Sequence, residues 1–112
     1  MMRFLFKLLS PRPTFPMDMT ESERKVMQDH VVYWTGLRDK GTAIVFGPVL
    51  EPKGVWGVAV VETPDEATAR AILANDPVEK AGLSRIEIYP MGAGTIVRES
   101  GPSGFRSSRT CT

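Results

Sequence analysis

Residues 20–41 of this chain read TESERKVMQDHVVYWTGLRDKG, and they predict the helix around which the rest of the fold is arranged. Thr20 and Glu23 have the spacing of a capping box, in which each side chain accepts a hydrogen bond from the other residue's backbone N–H. Gly41 is the expected end of the helix. The apolar stripe between these ends lies within roughly 60° of His30 on a helical wheel. Its members are Val26, Met27, His30, Tyr33, Trp34 and Leu37, so we expect His30 at the centre of the buried face.

Four apolar stretches outside this helix are typical of β-strands. The second and third are joined by Glu51-Pro52-Lys53-Gly54, a turn between two apolar runs, which predicts a hairpin. In the third stretch Gly57, Ala59 and Val61 share one face, and the small side chains leave room for close packing. The four predicted strands are residues 3–9, 42–50, 55–62 and 84–91.

A second helix is predicted between the third and fourth strands. Thr63-Pro64-Asp65-Glu66 has the T-x-x-E spacing of another capping box, with proline at the first helical position. We expect the helix to run to about Ala74 and to end at Asn75-Asp76-Pro77, because the residue before proline is disfavoured in helical geometry.

The resulting order, β-α-β-β-α-β, is the split βαβ pattern of a ferredoxin-like α+β fold. It predicts a four-stranded antiparallel sheet with two helices on one face. The other face then needs a cover, and a second copy of the chain is the expected one.

The two ends and the first loop lie outside this core pattern. Residues 10–16 contain three prolines and predict a stiff, extended loop. The apolar run before them is too short for a signal peptide or a membrane span, so we interpret it as the first strand. Residues 92–112 are rich in Gly and Ser and predict a flexible tail behind a single domain of residues 1–91.

Composition excludes several classes of protein. The 112 residues are 42% hydrophobic and 24% charged, close to the globular average, which argues against a disordered chain, a collagen or a coiled coil. A net charge of +1 gives no basic field for nucleic acid. The single cysteine, Cys111, excludes an internal disulfide framework and a cysteine-based zinc site, and it favours a reducing cytoplasm. No phosphate-binding glycine motif and no histidine cluster is present, so we expect neither a metal nor an organic cofactor.

The only histidine, His30, has two open interpretations. A histidine on an apolar stripe is typical of a satisfied core or dimer-face residue. The alternative is a general acid or base held by a carboxylate, since an unpartnered buried imidazole costs about 1–3 kcal/mol. Asp76 is the candidate carboxylate if the two helix ends converge, because it would fix one ring nitrogen and leave the other free. Asp76 is equally typical of an Asx turn before Pro77.

Further residues are candidates for binding a substrate. Trp34 is either core or the wall of an aromatic pocket. Gly47-Pro48 ends the second strand and is either a strand terminus or a backbone wall that a ligand can approach closely. Arg12 and Arg3 are either solvated charges or partners of an anionic substrate. The sequence leaves each of these choices open.

An ordered set of short motifs over residues 2–91 resembles the YCII-related family. The set combines a helical histidine followed by Tyr-Trp with Gly-Pro, Trp-Gly, Asp-Pro and Tyr-Pro-Met motifs in that order. In this chain it comprises Met19-Thr20-Glu21, residues 27–30, Tyr33-Trp34, Gly41, Phe46-Gly47-Pro48-Val49, Trp56-Gly57-Val58, Asn75-Asp76-Pro77, Gly82-Leu83 and Glu87-Ile88-Tyr89-Pro90-Met91.

The resemblance implies a ferredoxin-like fold that pairs into a dimeric α+β barrel. It also implies a His-Asp pair in a cleft, which falls on His30 and Asp76. A dehydrochlorinase of chlorinated hydroxyquinols resembles the family, which suggests acid–base chemistry on small cyclic compounds. Many members have Phe where this chain has Val78, so that edge of the cleft is expected to differ.

Three functions follow as hypotheses. The first is a cytoplasmic, homodimeric, cofactor-independent lyase or isomerase of a small molecule, with His30 and Asp76 catalytic and with Trp34, Gly47, Pro48 and Arg12 binding the substrate. The second is a non-catalytic small-ligand-binding or interaction module in which the His-Asp pair is structural. The third is haem binding through His30, since haem needs only one proximal histidine. Neither nucleic acid nor a membrane is an expected partner.

Overall fold

The computed structural model describes residues 1–98 of the chain. It contains four strands and three helices in that range. Their bounds are β1 Met2–Leu8, α1 Glu21–Asp39, β2 Ala43–Val49, β3 Trp56–Thr63, α2 Glu66–Ala74, α3 Pro77–Ala81 and β4 Ile86–Pro90. Most of the predicted tail, residues 99–112 with Cys111, lies outside the described residues.

The strands form one antiparallel sheet in the order β2-β3-β1-β4. Phe6 lies opposite Ala59 of β3 and Ile88 of β4, and Ala59 in turn lies opposite Phe46 of β2. The helices lie on one face of the sheet. The ferredoxin-like α+β fold and the hairpin between β2 and β3 are therefore confirmed.

The start and the end of α1 follow their local signals. The Thr20 hydroxyl accepts from the backbone N–H of Glu23 at 3.2 Å, and the Glu23 carboxylate accepts from the N–H of Thr20 at 2.9 Å. Behind the last turn Gly41 has φ +80°, a left-handed conformation that glycine adopts without strain. The predicted capping box and end of this helix are confirmed.

The predicted start of α2 is wrong. The N-cap is Asp65, whose carboxylate accepts from the backbone N–H of Thr68 at 2.8 Å. Thr63 is instead the buried last residue of β3, and its hydroxyl donates to the carbonyl of Asp65 at 2.7 Å. Pro64 therefore lies outside the helix. Pairing with β1 holds Thr63 in the sheet, so the capping position moves two residues along the chain.

A third helix was not expected. Asp76 ends α2 as predicted, but it also caps α3, and Pro77 occupies the first turn. Gly82 ends α3 with φ +64°. The helical layer of the described chain therefore contains three helices rather than two.

The proline-rich connection between β1 and α1 is folded into turns and is not extended as predicted. The N–H of Phe15 donates to the carbonyl of Arg12 at 3.1 Å, and the N–H of Met17 donates to that of Thr14 at 3.0 Å. The Phe15–Pro16 peptide bond is cis. The Phe15 side chain is buried, so this segment packs onto the body of the domain.

The core lies between the sheet and the helices. Alternation along each strand sends every second side chain into this layer. Small and large apolar side chains pack closely against one another there. The buried cluster consists of Phe4, Phe6, Trp34, Ala43, Ala59, Val61, Ala69 and Ile72.

Candidate functional site

A cavity of about 400 Å³ opens at one end of the sheet, between the sheet and α1. Gly57 and Ala59, predicted from the sequence to leave room for close packing, form part of its floor. Phe15 and Pro16 cover it from the β1–α1 loop. The remaining lining includes Met27, His30 and Trp34 of α1, Phe46, Gly47 and Pro48 of β2, Asp76 before α3, Ser84 before β4, and Ile86 at the start of β4.

The central polar feature of the cavity is the contact between His30 and Asp76. The Nδ1 atom of His30 lies 2.9 Å from Oδ1 of Asp76 and 3.0 Å from Oδ2. The histidine side chain is 16% exposed and the aspartate side chain 1% exposed. The middle of α1, rather than its end, thus meets the junction between α2 and α3, and the two residues form a largely buried pair at the cavity wall.

Two further donors hold the Asp76 carboxylate. The indole Nε1 of Trp34 donates to Oδ2 at 2.7 Å, and the backbone N–H of Val78 donates to Oδ1 at 2.8 Å. A carboxylate removed from water is costly unless its oxygens are hydrogen-bonded, and hydrogen bonds to an ionised acceptor are stronger than neutral ones. Asp76 therefore receives three N–H groups that fix the orientation of both oxygens.

This set of donors determines the tautomer of His30. Indole and backbone N–H groups can only donate, and an ionised carboxylate can only accept. The Nδ1 atom of His30 must then carry a hydrogen and donate it to Asp76. In the neutral ring, Nε2 is consequently the acceptor, and it is the nitrogen available to a molecule in the cavity.

Spacing along α1 explains how both donors reach one carboxylate. His30 and Trp34 are separated by four residues, so their side chains lie on the same face one helical turn apart. The Trp34 ring also packs edge-on against Phe6, with ring centroids 5.5 Å apart and planes at 83°. The tryptophan is therefore locked by packing as well as by its hydrogen bond.

Tyr33 is affected by its own burial and by the charge of Asp76. Its hydroxyl donates to the carbonyl of Ile72 at 2.7 Å. Partial burial, and secondly the negative charge of Asp76, raise the pKa of Tyr33 above its ordinary value. Tyr33 does not line the cavity, and it ties α1 to α2.

The substrate-binding candidates divide into two groups. Trp34, Gly47 and Pro48 line the cavity with His30 and Asp76. Arg12 does not: its guanidinium forms a two-pronged pair with Glu23, at 2.8 and 2.7 Å, and also binds Asp18. Those hydrogen bonds lower the pKa of Glu23 to about 2 and raise that of Arg12 above its ordinary value.

Several contributors to the site were not singled out from the sequence. They are the Phe15-Pro16 cover, the indole donor of Trp34, the backbone N–H of Val78, and the hydroxyls of Ser10 and Ser84 near the rim. The Asp-Pro motif with glycine six residues after the aspartate was a usable signal for α3, and hence for the Val78 donor. Nothing in the sequence indicates which group the Trp34 N–H binds.

Residues 1–98 contain no group of three or more His, Cys, Asp or Glu side chains placed to hold a metal ion. Within the same residues, no helix has an apolar stretch long enough to cross a membrane.

Comparisons with known proteins agree with this fold. The model of the YCII-related domain matches residues 4–92. Among solved structures, the chain is similar to the 5-chloro-2-hydroxyhydroquinone dehydrochlorinase of Burkholderia phenoliruptrix, determined in complex with 2,5-dihydroxybenzoquinone. The TM-score is 0.54 at 18% identity, over 81% of this chain and 95% of the dehydrochlorinase chain. A likeness at this identity shows a shared fold. No curated protein matches the sequence.

Proposed function

Because this chain belongs to the YCII-related domain family, we propose that it is a small-molecule enzyme in which His30 acts as the general acid and base. Asp76 is the carboxylate that orients the ring. The reaction class is a lyase or an isomerase that needs no cofactor. The dehydrochlorinase with a similar fold is an enzyme that acts on a small ring compound, which supports this class.

The contact from Nδ1 of His30 to both oxygens of Asp76 is the observation that carries the proposal. It sets the tautomer, holds the ring plane, and places a base at the wall of an apolar cavity. A positioned imidazole contributes about 10²–10⁴-fold to a proton-transfer step. The nearby carboxylate then stabilises the imidazolium that forms, as in other His-Asp arrangements.

The chemistry moves one proton at a time. Nε2 removes a proton from the substrate. The electron pair of the broken bond then either shifts within the molecule or expels a leaving group. In an isomerisation the imidazolium returns the proton to another atom of the same molecule. In an elimination the electron pair of the C–H bond forms the new double bond, the leaving group takes the electrons of its own bond, and the imidazolium gives its proton to the departing group or to water.

We also propose that two copies pair through the open face of the sheet into the dimeric α+β barrel of the family. The β-strand register places Leu5 between Val60 and Tyr89 on that face, and Val45 lies beside Val60. Val45 is 53% exposed and Tyr89 48% exposed in the single chain. Covering this apolar row would stabilise the sheet. A cytoplasmic location belongs to the same proposal, because cysteine is nearly absent.

The alternative is a binding module in which the same pair is structural. The apolar cavity favours this alternative as much as catalysis, since a binding module and an enzyme both need a cavity that accepts a ligand. The third hypothesis, haem binding, requires a Soret band on haem titration that His30→Ala removes.

The test uses indan-2-one, an uncharged ring-shaped carbon acid whose CH₂ groups exchange with D₂O. NMR would follow the loss of the CH₂ signal with and without the native protein. We expect exchange to be faster than in free imidazole at equal concentration, because Nε2 removes the proton and returns a deuteron. His30→Gln should reduce exchange to the imidazole-free background.

The matched control is Val32→Gln, which places the same side chain on an exposed position of α1 outside the cavity lining. It should exchange like the native protein. Native-level exchange in His30→Gln would contradict the catalytic role. Binding of indan-2-one without accelerated exchange would contradict the enzymatic function and support the binding module.

A further inference from the structure

We propose that the cavity selects uncharged, largely apolar molecules that present one weakly acidic proton to Nε2 of His30, and that it rejects carboxylates and phosphates. This inference rests on the proposed function, because it names the class of substrate that the same base would accept.

The first argument concerns cations. No lysine or arginine lies in the cavity lining within residues 1–98. Arg12 is held by Glu23 and Asp18, and Arg3 pairs with Glu62 at 2.8 Å. Both guanidinium groups that the sequence analysis considered as partners of an anionic substrate therefore pair with carboxylates of the chain itself.

Lys7 is the cation that stacks on a ring of the lining, that of Trp56. Its ammonium lies 4.8 Å from the ring centroid of Trp56, on the outer face of the sheet. Strand register places Lys7 beside Val58 and Glu87, on the sheet face opposite to that of Phe6 and Ala59. Lys7 is not part of the lining. An anion in the cavity would therefore contact no lysine or arginine side chain in the described part of the lining.

The second argument concerns hydrogen-bond donors. The indole N–H of Trp34 is directed at Asp76, and that of Trp56 donates to Glu51 at 2.9 Å. The Ser10 hydroxyl donates to the carbonyl of Val55. These bonds leave the Ser84 hydroxyl and the acceptor Nε2 of His30 as the polar side-chain groups open to a ligand in the described part of the lining.

The third argument concerns the charge already buried in the site. Asp76 carries a negative charge that water scarcely reaches, and removing a second unpaired anion from water beside it is unfavourable. A neutral ligand avoids this. When it transfers its proton to Nε2, the products are an imidazolium between two negative groups, and the net charge of the site is unchanged. An anionic ligand would become a dianion instead.

The test compares three probes of one shape at neutral pH: 2-naphthol, 2-naphthoate and 2-methoxynaphthalene. The first is neutral and has an acidic hydroxyl, the second is an anion, and the third is neutral without an acidic proton. Binding is followed by the indole N–H signals, since the chain has two tryptophans and both lie in the lining. We expect 2-naphthol to bind at least tenfold more tightly than 2-naphthoate.

Neighbouring valines on α1 provide a matched pair of charge variants. Val31 is 51% exposed and lines the cavity, whereas Val32 is 72% exposed and does not. In Val31→Lys the ammonium can reach a bound carboxylate, so the ratio of 2-naphthol to 2-naphthoate affinity should fall at least tenfold. In Val32→Lys, which adds the same charge outside the cavity, the ratio should stay within threefold of the native value.

The hydrogen bond to Nε2 has its own readout. The native protein should bind 2-naphthol more tightly than 2-methoxynaphthalene, by at least threefold, and His30→Gln should reduce that difference. Selection by charge should persist in His30→Gln, since it arises from the lining and not from the imidazole.

The outcomes separate this inference from the proposed function. Tight binding of 2-naphthoate to the native protein, an unchanged ratio in Val31→Lys, or no binding of any probe overturns the inference, even where indan-2-one exchange shows acid–base chemistry. Selective binding of 2-naphthol without accelerated exchange of indan-2-one supports the inference and contradicts the proposed enzymatic function.

Discussion

The Asp76 carboxylate accepts from three N–H groups, and an amide in its place cannot match all of them. In Asp76→Asn the NH₂ group can donate to Nδ1 of His30 only if the ring proton moves to Nε2. We therefore expect the neutral imidazole to change from the Nδ1–H to the Nε2–H tautomer. Long-range ¹H–¹⁵N correlation spectra report this directly, because the chain has one histidine.

The control for this substitution is Glu79→Gln, which makes the same chemical change at an exposed carboxylate of α3. It should leave the Nδ1–H tautomer in place. If Asp76→Asn also keeps the Nδ1–H form, Asp76 is not what sets the proton position.

Trp34 is the second single side chain with a measurable role. Trp34→Phe keeps an aromatic ring but removes the donor to Oδ2 of Asp76, leaving a buried carboxylate short of one hydrogen bond. We expect the free energy of unfolding to fall by about 1–3 kcal/mol from that bond alone, measured by urea denaturation. Trp56→Phe removes an indole N–H from the exposed Glu51, so it should cost clearly less. Equal losses would mean that the bond to Asp76 contributes nothing specific.

The sequence predicted the pair at the centre of the site but not the shell around it. His30 and Asp76 could be found because there is one histidine and because Asp76 ends the second predicted helix, on the same face of the sheet as the first. The indole N–H of Trp34 could not be assigned a partner 42 residues away. The partner of Arg12 could not be predicted either, since its charge is evident in the sequence but its pairing with Glu23 depends on how the loop folds.

Secondary-structure elements were predictable where neighbouring residues determine them and not where contacts distant in the sequence do. The cap of α1 was predictable because its two hydrogen bonds join residues three apart. The cap of α2 predicted at Thr63 was wrong because Thr63 pairs with Met2 across the sheet, and Asp65 caps the helix instead. The five residues of α3 are too short to show helical periodicity, although both of its caps are visible in the sequence.

The β1–α1 loop gives a prediction of pH dependence. Hydrogen bonds from Arg12 lower the pKa of Glu23 from 4.5 to about 2 and also lower that of Asp18. A carboxylate with a depressed folded-state pKa stabilises the protein above its unfolded pKa, and this contribution disappears as the pH falls through the folded pKa. The native protein should therefore exceed Arg12→Gln in stability above pH 4.5, and the difference should vanish by about pH 2.

Urea denaturation at a series of pH values measures this difference. Arg38→Gln is the control, because Arg38 and Asp39 form an ion pair in which both side chains are more than half exposed, and such pairs contribute little. A pH-independent gap between native and Arg12→Gln would mean that Arg12 stabilises the loop by packing on Phe15 rather than through the carboxylates.

At the scale of the whole molecule, the sheet is asymmetric. One face is covered by the helices and contains the core, while the other presents an apolar row without a helical cover in the described chain. The alternation within each strand predicts both faces. On the second face a central apolar row that includes Leu5 and Val60 is flanked by charged residues such as Lys7 and Glu87. What the alternation cannot specify is the partner, because one chain alone contains no information on which surface meets it.

Val60 gives the most direct test of that partner. It lies opposite Leu5 and Val45, near the centre of the open face, and is only partly buried in the single chain. In Val60→Lys a monomer keeps the ammonium in water, so it should stay folded, whereas a dimer would bury an unpaired charge. Light scattering after gel filtration should give twice the mass of one chain for the native protein and the mass of one chain for Val60→Lys. Val32→Lys, with the same charge on α1, should remain dimeric. A native monomer, or a dimer that tolerates the lysine, would place the pairing surface elsewhere than on this face of the sheet.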